Sequence, residues 1–120
     1  MEKLEFSLQL KEQPVEITDT DGTVKTFILR ELTGAQRDSY LNEIGGRMKF
    51  NAAGKTIGFT TYKNLQANLL CLCLLDPEGN LVKQSIIQDW PAGVVQSLFK
   101  SAQELSGLNL EEEDEEVKND

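Results

Sequence analysis

The chain has 120 residues, 39% of them apolar, carries a formal net charge of −8 and contains no histidine. That length holds one domain with a modest core, and no apolar run approaches a membrane span. The missing histidine removes the commonest general base, the commonest zinc ligand and every Ser-His-Asp or Cys-His arrangement, so an enzyme is the least favoured class and no cofactor or metal is expected.

The charge is unevenly spread. Residues 111–120 hold seven acids and one lysine, six of the net eight negative charges, whereas the rest sets 13 acids against 11 bases. A nearly balanced body with an acidic tail opposes phosphates and anionic lipid heads, so neither nucleic acid nor membrane is an expected partner. The opening Met1-Glu2-Lys3-Leu4-Glu5 lacks the basic-then-apolar order of a secretory signal, which points to the cytoplasm. Cys71 and Cys73, two apart in an apolar run, fit a reducing compartment. On a helix they point to nearly opposite sides, so they read as small buried hydrophobes and not as ligands of one ion.

In chain order, Leu4, Phe6, Leu8 and Leu10 alternate with polar residues and predict a strand with one buried face. Gln13-Pro14 breaks the pattern, and Val15-Glu16-Ile17-Thr18 resumes it. Asp21-Gly22 predicts a hairpin turn into Thr23–Arg30, where the consecutive Phe27, Ile28 and Leu29 call for a bulge or a helix packed over the second face. The N-terminal part therefore reads as a two- to three-stranded antiparallel sheet. Thr33 and Gln36 have capping-box spacing for a first helix with Leu41, Ile44 and Met48 on its apolar face. Gly45-Gly46 should end or loosen that helix, and the stretch to Thr60 reads as a mobile loop. Thr60 or Thr61 would cap a second helix with Leu65, Leu69, Leu72 and Cys73 as its inner stripe. The run Leu69–Leu75 is apolar on every side and marks this helix as the buried centre. Asp76-Pro77-Glu78-Gly79-Asn80 is a turn, Leu81-Val82 a brief strand, and Ser85–Gln88 a short turn or helix.

The last helix is the best marked. Val94, Val95, Leu98, Phe99, Ala102 and Leu105 recur at helical spacing, Pro91 suits the first turn, Asp89 is positioned as a cap, and Gly107 suits a left-handed stop. The fold class is α+β: a small N-terminal antiparallel sheet, about three packed helices in a single domain over 1–110, and a disordered acidic tail over 111–120.

The chemical motifs reduce to bland readings. Gly54-Lys55-Thr56 is not a phosphate loop, because Lys49 stands where the first glycine belongs. Asp19–Gly22 and Asp76–Gly79 lack calcium-loop spacing and are turns. Arg47, Lys49, Lys55 and Lys63 form a loose basic cluster that reads as a solvated face, with a dock for an acidic segment as the alternative. Trp90 reads as a staple holding its helix to the core, with a partner-binding anchor as the alternative.

Glu31-Leu32-Thr33-Gly34-Ala35-Gln36-Arg37-Asp38, the turn Leu74-Leu75-Asp76-Pro77-Glu78-Gly79-Asn80-Leu81-Val82, and Trp90-Pro91-Ala92-Gly93-Val94-Val95 running to Leu105-Ser106-Gly107-Leu108 before an acidic tail together resemble the phage tail assembly chaperones. These are small proteins encoded ahead of the tape measure protein in long-tailed phages and prophages. The resemblance covers about two-thirds of the chain and implies a non-enzymatic role: binding the long helical tape measure protein, keeping it soluble, and helping to recruit tail-tube protein during tail morphogenesis. On that reading the partner-binding residues are Trp90, Val94 and Phe99 with Glu111, Glu112 and Glu113 of the tail, and homo-oligomerisation stays open. The readings set against it are a minor tail or head–tail component retained in the virion, and an acidic adaptor or inhibitor.

The resemblance also implies a longer product made by ribosomal frameshifting, the present chain being the short form. Val117-Lys118-Asn119 can be encoded GTA-AAA-AAC, on which a ribosome can slip. The expected outcome of reading the gene is a slippery run at these codons with an open frame beyond it. Absence of any such run from the closing codons sinks the idea.

Overall fold

A computed structural model describes residues 2–108. The order of elements is β1 (Glu12–Thr18), β2 (Val24–Arg30), α1 (Gly34–Arg47), β3 (Met48–Phe50), β4 (Thr56–Phe59), α2 (Leu65–Cys73), β5 (Leu74–Leu75), α3 (Gln84–Ile87) and α4 (Ala92–Leu105). The fold is α+β, with an antiparallel three-stranded sheet in the order β1-β2-β5 and a separate β3-β4 hairpin. The acidic tail expected over 111–120 lies outside the described residues.

The centre is the apolar run from Leu69 to Leu75. In α2, Ala67, Leu69, Leu70 and Cys73 are buried, and the chain passes directly from the helix into β5. Leu74 lies opposite Leu29 of β2, and both are fully buried. One stretch thus supplies the helix at the middle of the core and the third strand of the sheet. Tyr40 and Ile44 of α1, Ile87 of α3, and Leu98 and Ala102 of α4 close around it.

The consecutive Phe27, Ile28 and Leu29 need no bulge, since the β1–β2 register runs without a break from Glu12↔Arg30 to Thr18↔Val24. Phe27 and Leu29 turn to the core, while Ile28 lies on the other face. Cross-strand neighbours share a face, so Pro14, Ile28, Leu75 and Leu81 form an apolar row across the outer side. Ile28 is thus flanked by apolar neighbours within its own sheet, and these take the place of the bulge or covering helix that the run called for.

The ends of the helices show which local signals held. The Thr33–Gln36 capping box is formed in both directions. Gly107 adopts φ +70°, its N–H donating to the Glu104 carbonyl and the Leu108 N–H to the Gln103 carbonyl. This is the double bond of a Schellman cap, and it turns Leu108 back into the core. The Ser106 hydroxyl meanwhile accepts from the Leu32 N–H at 2.9 Å, tying the end of α4 to the approach to α1.

Five expectations are corrected. Leu4–Leu10 is not a strand: it bends at Gln9 and has no ladder partner, because β5 takes the place beside β2 and the outer edge of β1 stays open. Gly45-Gly46 does not end α1, which runs to Arg47; that side chain binds Glu43 one turn back and the Lys63 carbonyl, and this anchoring outweighs the glycine propensity. The stretch before Thr60 is the β3-β4 hairpin, with Asn51 Oδ1 accepting from the Ala53 and Lys55 N–H groups across its turn. Neither Thr60 nor Thr61 caps α2: the N-cap is Asn64 at φ +62°, because Thr60 is used to close the hairpin on the Arg47 carbonyl. Asp89 does not cap α4 either; Pro91 holds the cap position, and its carbonyl accepts from the Val94 and Val95 N–H groups.

Leu72 and Leu41 also face more solvent than their place on the expected apolar faces implied. Leu70→Ala should therefore lower stability by about 2–5 kcal/mol in urea unfolding, with Leu72→Ala costing clearly less. Equal losses at the two positions would refute this assignment of the inner face.

Candidate partner-binding groove

Trp90 sits at the junction of the sheet, α3 and α4. The turn following α3 places it there: the Trp90 N–H donates to the Ile87 carbonyl at 3.0 Å, and Pro91 then starts α4. Its ring meets Phe27 edge-on, with centroids 5.7 Å apart and planes at 88°, a favoured aromatic geometry. Trp90 is half-buried, so it staples α4 to β2 while leaving part of its surface open.

Two concavities share that open surface. One, of about 370 Å³, runs between the β1–β2 turn and the start of α4, with Ile17, Phe27, Ile86, Pro91 and Val94 as its apolar lining. The other, of about 850 Å³, continues past Lys25 and Phe27 toward Leu81 and the Asp76–Asn80 turn. Lys25, Phe27, Ile86 and Trp90 line both, which makes them one trough. Its rim carries Val24 at 56%, Leu81 at 41% and Ile86 at 49% exposure, together with the ion pair of Lys25 and Asp19 at 3.8 Å. Exposed charges at that distance contribute little energy, so the pair marks the rim and does not drive binding. Such a trough suits an apolar segment laid along it, with a few polar groups to orient it.

Of the residues expected from sequence, Trp90 and Val94 come together in this trough. Phe99 does not: it lies five positions beyond Val94 on α4 and packs against the core from another side. Glu111, Glu112 and Glu113 lie outside the described residues. Ile17, Lys25, Phe27, Leu81 and Ile86 were missed. Ile86 had left a signal, since it is adjacent to Ile87 in a short turn where only one of the two can point inward, and Ile87 is the buried one.

The basic cluster is dispersed. Arg47 is held by Glu43, which also accepts from Asn68; Gln84 donates to Asn68 in turn, and Gln88 to Asn64. This chain of polar side chains runs from α1 across α2 to α3 and the residue following it, and it fixes the segment that presents Ile86 and Trp90. Lys49 and Lys55 stay on the exposed hairpin.

Neither cysteine is paired; Cys73 is buried and Cys71 half-buried. Burial pushes the Cys73 thiol from an ordinary 9.0 up to about 12, and burial followed by the Glu43 charge raises the Tyr40 phenol. No group of three or more His, Cys, Asp or Glu side chains that could hold a metal occurs among the described residues, and no helix among them is long and apolar enough to cross a membrane. No family model, curated protein or solved structure matches this chain.

Because the folded state holds the Cys73 proton more tightly than the unfolded state, the stability it contributes is complete below pH 9 and lost as pH climbs toward about 12. The urea midpoint should be flat from neutral pH to the unfolded thiol's value and fall above it, and Cys73→Ala should make that fall shallower. An alkaline limb identical in the two proteins would count against the assignment.

Proposed function

We propose that this protein is a non-enzymatic tail assembly chaperone acting in the host cytoplasm, which receives an apolar helical segment of the tape measure protein in the trough floored by Trp90. The observation that carries the reading is the trough itself: an apolar floor of Phe27, Trp90 and Val94 under a rim where Ile86 and Leu81 stand exposed. A monomer gains nothing from leaving large apolar side chains around an open groove, and contiguous apolar surface of this kind marks partner binding. A helix that would aggregate alone can bury its apolar stripe there, in the manner of other helix-in-groove complexes. The acidic residues beyond Leu110 then raise the solubility of the complex, since added carboxylates help more than added amines. The likeness in the α1 opening, the Asp76–Asn80 turn and the Trp90 helix supports the choice of partner.

Co-expression with the tape measure protein encoded beside it should keep that protein in the soluble fraction. Ile86→Asp should abolish the effect while shifting folding stability by no more than about 0.5 kcal/mol, because the side chain is largely exposed. A tape measure protein that stays insoluble with the wild-type chain, or detection of this chain in purified virions, would overturn the proposal.

A further inference from the structure

The N-terminal arm Leu4–Leu10 and the open edge of β1 have complementary deficits. The arm has the period-two pattern of a strand but no partner among the described residues, and Leu4, Phe6 and Leu8 are 79%, 87% and 100% exposed. β1 has seven residues, as the arm does, and pairs on one side alone.

The phase of the ladder shows what that open edge offers. The Glu31 N–H donates to the Lys11 carbonyl and the Asp19 N–H to the Thr23 carbonyl, each at 2.8 Å. Antiparallel pairs alternate between bonded and non-bonded, so the odd-numbered residues of β1 bond to β2, and the N–H groups of Glu12, Glu16 and Thr18 face outward. Pro14 falls on this outward phase, where its missing N–H costs the existing ladder nothing. At the edge, Gln13, Pro14 and Val15 line a groove of about 460 Å³ together with Ser101, Glu104 and Leu105 of α4. Val15 and Leu105 are half-buried there. The layer lacks the one strand whose apolar side chains would close it.

The arm does not supply that strand to its own sheet. Lys11 is tied to the Glu31 end of β2 at both its N–H, which donates to the Glu31 carboxylate, and its C=O. The chain therefore enters β1 from beyond the last ladder pair, and although it bends at Gln9 the arm makes no backbone hydrogen bond to its own β1 edge.

We infer that the arm is a donor strand: two copies of this chain exchange residues 4–10, each arm adding antiparallel to the β1 edge of the other and setting Phe6 and Leu8 into the groove beside α4. A second copy fits better than an unrelated protein, because strand and vacant edge occur on the same polypeptide, match in length, and close reciprocally about a two-fold axis. The inference rests on the arm and the edge alone and is independent of what fills the Trp90 trough.

Sedimentation velocity on the full chain should show a dimer. Phe6→Asp should weaken it by about thirtyfold or more, the effect of losing a hot-spot side chain, while unfolding stays cooperative with a urea midpoint that no longer rises with protein concentration. Glu16→Pro removes an outward N–H that β2 does not use and should weaken the dimer similarly. Because that variant could also perturb the hairpin, cysteines at Leu8 and Val15 in a Cys71→Ser, Cys73→Ala background give a second reading: they should cross-link between copies upon oxidation. A wild-type monomer up to millimolar concentration, a dimer indifferent to Phe6→Asp, or a dimer lost with Phe6→Asp yet neither cross-linked nor weakened by Glu16→Pro would overturn the inference.

Discussion

Everything in the fold answers to one constraint: of seven consecutive apolar residues, Leu69 to Leu75, five must be buried and the other two, Cys71 and Leu72, half-buried. A helix alone would need partners around its full circumference, and a strand alone would need cover on both faces. The chain divides the problem. The first part stays helical and is enclosed by α1, α3 and α4; the last two residues extend and pair with β2. Helix and sheet are thereby joined through one backbone with no loop between them. Leu70, Leu74 and Leu29 meet at that junction with no exposed surface, where tight packing makes each methylene count.

The position of Trp90 follows from this arrangement. With Leu74 locked against Leu29, the chain must turn at Asp76–Asn80 and return beside β5, and α3 brings Ile87 into the core. Ile86 is then forced outward. Trp90 lands on Phe27, at the seam between sheet and helices. It is both a staple and the floor of a trough, so the two readings weighed for it are compatible. The polar side chains from Arg47 through Glu43 and Asn68 to Gln84, all half-buried, brace the segment presenting the trough.

Much of this was legible locally. The Thr33–Gln36 box, the Asp21-Gly22 turn and the Gly107 stop are chemical necessities of a few neighbouring atoms, and each formed as expected. Signals that depended on a distant partner misled. Alternation at Leu4–Leu10 described a strand, but a strand exists only where an edge receives it. Gly45-Gly46 described a helix end, but Arg47 found Glu43 and the Lys63 carbonyl. Asp89 could have capped α4, yet the turn closing α3 had already engaged its backbone. The trough was half visible through Trp90 and Val94, while Ile17, Lys25 and Phe27 reach it from a hairpin far away in the chain.

The sequence by itself determined the α+β class, the central place of the 69–75 run, the start of α1, the end of α4 and the lack of histidine chemistry. These depend on composition and on interactions spanning a few residues. The tertiary structure alone decided that the sheet's third strand is β5, that Ile86 faces out while Ile87 faces in, and that the β1 edge is open beside an unpaired arm. Those outcomes are competitions between segments for one buried surface, and only the assembled core shows which segment won.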